Sequence, residues 1–250
     1  MHSQPLLLIQ AGTPPEDIRN LQGDLSDWFR GLLGDEANNL EVVRVFEGET
    51  LPSPGLHRAA IITGSWSMVT DHLSWSEYTA QWIRDAMAID MPLFGVCYGH
   101  QLMAHALGGT VDYHPAGLEI GCQEIELLPD AESDSLMQSL PPRFIAHLTH
   151  LQTVLQPPEN AVALARSSHD RHQILRYGPN AISTQFHPEF TPDISAACIK
   201  RREAMLRSKG LNPEKLVREL CHTSSAQELM LNFIRATATV LTINEDKSCH

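Results

Sequence analysis

The stretch Pro92-Leu93-Phe94-Gly95-Val96-Cys97-Tyr98-Gly99-His100-Gln101 constrains this chain more than any other. A short apolar run ends in Gly-x-Cys-x-Gly, and Leu102, Met103, Ala106 and Leu107 then recur at helical spacing. A strand that bends sharply into a helix needs glycine two residues to either side of the bend, because Cβ atoms there collide. The residue at the bend is Cys97. At a helix N-terminus the unpaired N–H groups and the helix dipole favour a thiolate over a thiol. Cys97 is therefore read as a nucleophile and not as a small core residue.

The rest of the chain supplies strands and helices in alternation. Pro5–Gln10, Leu40–Phe46, Ala59–Thr63 and Pro92–Val96 are apolar runs of strand length, while Glu16–Leu33 and Ser74–Met87 carry apolar residues at helical spacing. Trp75 and Trp82 share the second helix face and are read as core; Trp66 lies in the loop before it. Gly108-Gly109 closes the helix after Cys97. The alternation predicts an α/β fold, a doubly wound, mostly parallel sheet with flanking helices. Ligands of such sheets bind beyond the carboxyl ends of the strands, where Gly64 and Cys97 both fall.

After Gly109 short strand candidates follow one another at Thr110–His114, Glu119–Leu128, Arg143–Leu148, Ala161–Ser167 and His172–Tyr177, predicting a second strand-rich layer or an extension of the sheet. Ala181–Phe186 returns as a strand and delivers His187-Pro188-Glu189. Residues 191–242 read as helices at Ile194–Leu206, Pro213–Leu220 and Ala226–Leu241, and Asn244–His250 as a frayed tail.

A formal charge of −12 argues against nucleic-acid binding, which requires a positive field. The basic cluster Lys200, Arg201, Arg202, Arg207 and Lys209 reads as a solvated helix face. Five widely spaced cysteines with no Cys-x-x-Cys suit free thiols in a reducing compartment. Met1–Gln4 offers no basic region before Leu6–Ile9, a run too short for a signal-peptide core or a membrane span, so a cytoplasmic protein is expected.

A thiol nucleophile needs a base, and the base needs an orienting partner. His187 and Glu189 fit these roles, since residues i and i+2 of an extended segment share a face and Glu189 can hold the far side of the imidazole. The pairs His147/His150 and His169/His172 have metal-like spacing but no placed third ligand, and read as structural or surface histidines. No metal and no cofactor are expected.

Gly95-Val96-Cys97-Tyr98-Gly99-His100-Gln101 and Phe186-His187-Pro188-Glu189-Phe190 together resemble the two signatures of class I glutamine amidotransferases, and in texture the chain resembles the amidotransferase domain of GMP synthase and stand-alone proteins similar to it. The likeness runs from about residue 5 to residue 190 in layout. It implies a flavodoxin-like amidotransferase domain at 1–190 with a helical C-terminal extension at 191–250. It also implies that Cys97 attacks the γ-amide of glutamine, with His187 and Glu189 as partners. The Tyr98 N–H and the turn at Gly64-Ser65 would hold the oxyanion, although relatives carry Gly-Gly-Pro or Gly-Pro-Gly where this chain has Gly64-Ser65-Trp66. Gln101 matches a glutamine-contacting position. Thr149–Val154 is similar to a segment beside the triad and contributes His150 to the substrate site.

No Gly-rich phosphate loop follows, so no attached synthetase is expected. Three readings stay open: a glutaminase passing ammonia to a separate synthetase, a stand-alone γ-glutamyl hydrolase or peptidase, and a non-catalytic interaction protein that kept the fold.

Overall fold

Leu6 and Leu8 pack into one cluster of buried side chains, while Leu7 and Ile9 pack into another. That alternation marks a strand covered on both faces, and the whole fold is built around it. The computed structural model describes residues 4–246. Five strands run parallel in the order β2 (Leu40–Arg44), β1 (Leu6–Gln10), β3 (Ala59–Ile62), β4 (Leu93–Val96) and β11 (Ala181–Thr184). One face is covered by α2 (Leu25–Leu33) and α8 (Ser224–Asp246) through Phe29, Leu33, Met230 and Phe233. The other is covered by α3 (Ser74–Ala88) and α4 (Tyr98–Ala106) through Ile83, Leu102 and Met103.

The strand-rich stretch after Gly109 extends this same sheet. From β11 outward, β10 (Ile174–Arg176), β9 (Val162–Arg166), β6 (Glu119–Leu127) and β7 (Arg143–His150) continue it antiparallel, giving nine strands. A separate two-stranded ribbon pairs β5 (Thr110–Tyr113) with β8 (Gln152–Gln156).

Two continuous helical patterns are interrupted in the structure. Glu16–Leu33 splits into α1 (Glu16–Gln22) and α2 because Gly23 takes φ 80° and Asp24 caps the second helix in a reciprocal capping box with Asp27. Ile194–Leu206 splits into α5 (Pro192–Arg201) and α6 (Glu203–Ser208) at Arg202, whose backbone leaves the helical region. Helix α7 (Pro213–Arg218) follows. Of the tail expected at 244–250, the chain through Asp246 continues α8, and the last four residues lie outside the described ones. Among the described residues no helix is long and apolar enough to cross a membrane.

Candidate active site

Cys97 and His187 follow two neighbouring parallel strands, β4 and β11, whose register pairs Val96 with Thr184. Adjacent strands lie about 4.8 Å apart, so side chains leaving their carboxyl ends are within reach of each other. Cys97 sits at φ 50°, ψ −97°, a conformation that L side chains rarely take, and its N–H donates to the Thr184 carbonyl at 2.8 Å. The glycines around it are sterically required. A Cβ on Gly95 would lie 2.6 Å from the Gly99 carbonyl oxygen, and one on Gly99 would run into the carbonyl of Ile62. These contacts press α4 against β3 and β4 and aim the sulfur outward from the bend.

His187 Nδ1 hydrogen-bonds Glu189 Oε1 at 2.7 Å, and both side chains are buried. The segment carrying them is a turn and not the extended strand end expected: Phe190 N–H reaches back to the His187 carbonyl at 3.4 Å. Pro188, with its fixed φ, suits the second position of such a turn. The Phe190 ring stacks on the imidazole with centroids 4.0 Å apart, fixing its plane, a contact that nothing in the local sequence announces. The His187 N–H is held by the His147 carbonyl of β7 at 2.9 Å. Nε2 of His187 is buried and has no protein partner other than the thiol it faces.

The charges here reinforce one another. Burial alone would push the Cys97 thiol up, but the His187 charge and hydrogen bond, with help from His150, outweigh it and bring the thiol below its ordinary value. Burial disfavours imidazolium at His187, yet Glu189 and then Cys97 push its pKa up to about 10. Both shifts favour a thiolate–imidazolium pair over the neutral thiol and imidazole.

The other predicted residues surround this pair. The Tyr98 N–H is the first of α4 and has no acceptor within the helix. A Cβ on Gly64 would lie 3.1 Å from His187 Cε1 and 3.8 Å from Cys97 Cβ, so the Gly64-Ser65 backbone passes directly beside the sulfur. Gln101 is buried, with Nε2 donating to the Gln152 carbonyl at 2.6 Å and to Gln185 Oε1 at 2.9 Å. Both ring nitrogens of His150 are engaged, Nδ1 with the Gln152 carbonyl at 2.9 Å and Nε2 with Glu119 at 2.8 Å. Burial opposes its charge, but Glu119 and Asp170 prevail and its pKa is raised. His150 thus adds a second pull, smaller than that of His187, toward the thiolate. Of the remaining histidines with metal-like spacing, His147 contacts the Cys122 sulfur at 3.5 Å, His169 the Gly117 carbonyl at 3.1 Å and His172 the Val154 carbonyl at 2.6 Å.

Two small cavities of about 20 and 40 Å³ flank Cys97. The first lies on the His187 side, against Leu25, Trp28 and Phe190; the second lies against Tyr98, Gln101, His150 and Gln152. Ser65, Trp66, Thr149 and Arg202 border both. The presence of Arg202 corrects the reading of residues 200–209 as one solvated face: Lys200, Arg201, Arg207 and Lys209 are exposed, whereas the break between α5 and α6 turns Arg202 inward.

Likeness to known proteins settles the family to which this geometry belongs. The family model for Glutamine amidotransferase class-I matches residues 55–203, which include the bend at Cys97 and the turn at His187. The chain belongs to the class-I glutamine amidotransferases. Gamma-glutamyl peptidase 4 of Arabidopsis thaliana is 28% identical over 206 residues, covering 80% of this chain and 82% of that one. A subunit of the glutamine-hydrolysing GMP synthase of Methanopyrus kandleri is 32% identical over 118 residues, 45% of this chain and 62% of that protein. A glutamine amidotransferase from Thermotoga maritima superposes with a TM-score of 0.74 over 94% of this chain and 99% of its own at 21% identity, a likeness of fold. This amidotransferase therefore shares its layout with relatives of both kinds.

Proposed function

We propose that this amidotransferase hydrolyses γ-glutamyl amide bonds through a thioester on Cys97, and that γ-glutamyl peptides are its substrates in preference to glutamine. The observation that carries the chemistry is the buried, otherwise unpartnered His187 Nε2 facing a thiol whose pKa is lowered, with Glu189 on the far nitrogen. The thiolate attacks the γ-carbonyl carbon, and the oxyanion forms against the Tyr98 N–H and the Gly64-Ser65 backbone. As the C–N bond breaks, His187 gives its proton to the departing nitrogen. Neutral His187 then takes a proton from water, whose oxygen attacks the thioester. Glutamate leaves, and the thiolate–imidazolium pair is restored.

The choice between substrates follows the extent of the likeness. The match to a γ-glutamyl peptidase spans four-fifths of both chains, while that to a GMP synthase subunit spans less than half of this one. A glutaminase serving a separate synthetase is the second reading, favoured by the higher local identity to the GMP synthase subunit. In either reading Cys97, His187 and Glu189 lie before residue 190, and the helices from 191 pack onto that unit as one domain, α8 against the sheet and Arg202 against the site.

The test is mass detection of the acyl-enzyme. Incubation with a γ-glutamyl dipeptide should add a glutamyl group to Cys97 and release glutamate, and Cys97→Ser should abolish both while unfolding at the wild-type temperature. Release that persists in Cys97→Ser would remove the sulfur from the reaction.

A further inference from the structure

The roof over Cys97 contains polar groups with no partner in the protein. Arg202 Nη1, Trp66 Nε1 and Thr149 Oγ1 are each buried and make no hydrogen bond, and all three residues border both cavities beside the sulfur. Leaving one buried cationic donor unpaired is costly, and leaving two neighbouring donors unpaired at one cavity wall points to a missing acceptor. No carboxylate of the described residues pairs with Arg202, in a chain whose net charge is −12. Apart from Nη1 the guanidinium is not idle: its charge and a hydrogen bond act on the Cys198 thiol and offset part of the burial that pushes that thiol up to about 11.

The side of the sulfur on which an acceptor would sit follows from the reaction. His187 protonates the departing nitrogen, so the cavity against His187, Phe190 and Trp28 belongs to the leaving group. The cavity against Gln101 and His150 belongs to the glutamyl group. Ammonia needs no apolar wall and no cation. An amino acid leaving through its nitrogen brings a side chain for Trp28 and Phe190 and a carboxylate for the guanidinium. The cavities hold only a few waters as they stand, so the side chains lining them must move apart to admit substrate.

We propose that Arg202 and the Trp66 indole N–H form a carboxylate-reading subsite that holds the leaving amino acid of a γ-glutamyl dipeptide. This rests on the γ-glutamyl hydrolase reading but can fail separately. Arg202 and Trp66 are specificity-determining residues here and take no part in bond making.

The experiment compares γ-glutamylalanine, its C-terminal amide and glutamine with wild type, Arg202→Met, Arg202→Lys and Trp66→Phe. The same ligands are titrated against Cys97→Ser by tryptophan fluorescence. Wild type should prefer the free acid over the amide by about 10- to 100-fold in kcat/KM, the range of one charge-assisted hydrogen bond. Arg202→Met should bring that ratio close to one, Arg202→Lys should keep part of it, and Trp66→Phe should reduce it several-fold. Equal cleavage of acid and amide by wild type overturns the subsite and leaves the hydrolase reading intact. An equal loss on all three substrates in Arg202→Met also overturns it, by placing the guanidinium on the glutamyl α-carboxylate. If wild type cleaves nothing while Cys97→Ser binds acid over amide in an Arg202-dependent way, the hydrolase reading falls and the subsite stands. If any Arg202 variant fails to fold, the Trp66→Phe ratio decides the question: a several-fold reduction supports the subsite, and an unchanged ratio overturns it.

Discussion

Replacing Glu189 by glutamine isolates the charge that holds His187 in its acid form. The amide keeps an oxygen 2.7 Å from Nδ1, so the ring can stay oriented while the negative charge disappears. His187 rises from 6.5 to about 10 through Glu189 first and Cys97 second. Removing the larger contribution should lower it by about one to two units, and each unit corresponds to about 1.4 kcal/mol between the two protonation states. The pair is active between the pH at which the thiolate forms and the pH at which the imidazolium is lost. In Glu189→Gln the upper limb moves to lower pH, because His187 gives up its proton sooner. The lower limb moves to higher pH, because a less persistent cation stabilises the thiolate less. The two limbs belong to the coupled pair and not to either residue alone. Alkylation of Cys97 by iodoacetamide followed from about pH 4 to about pH 11 reads the thiolate, and kcat/KM on a γ-glutamyl dipeptide reads the whole bell. The bell should narrow from both sides and its maximum should fall about 10- to 100-fold. An upper limb that stays at the wild-type pH would show that Glu189 does not set the charge on His187, and the argument from the buried pair would be wrong.

Two further outcomes test the surrounding frame. Gly99→Ala drives a Cβ into the Ile62 backbone, which cannot swing aside as a side-chain tip can. It should cost about 3 kcal/mol and lower the unfolding temperature by several degrees; a neutral effect would mean the bend is looser than it looks. Glu119→Gln breaks a buried pair with His150 and should destabilise by about 3 kcal/mol. Because the folded pKa of His150 lies above 6.5, its contribution is complete below that pH and fades as pH rises through the folded value. The gap between wild type and Glu119→Gln in urea unfolding should therefore widen toward acid, and a gap that is flat with pH would refute this account.

The two segments that carry the proposed chemistry were legible because each is dictated locally. Gly95 and Gly99 flank Cys97 for steric reasons visible in seven residues, and His187-Pro188-Glu189 sets a base and its partner two positions apart. The strands and helices before Gly109 were legible for the same reason, their patterns being continuous and their boundaries marked by glycine and proline. The splits at Gly23 and Arg202 were hidden because apolar spacing carries straight across both breaks. Strand β8 was hidden because Gln152–Gln156 is defined by its partner β5, some forty residues earlier. Arg202 itself was hidden within a basic run: only the helix break and the packing of α5 beside α2 bring that one cation to the cavity while its neighbours face water. The stacking of Phe190 on His187 and the pairing of His150 with Glu119 are likewise encounters between elements, which no local pattern encodes.

The sulfur and the imidazole hang from adjoining rungs of one ladder, yet the polypeptide travels through α4, the ribbon and the whole antiparallel wing before it returns from the first to the second. Their separation is therefore a property of peptide geometry and is indifferent to the length or shape of that excursion. Only where the wing meets the site, through the His147 carbonyl and through His150 with Glu119, would a change in it retune the pair; its far edge can be lengthened or trimmed while both groups stay where they are.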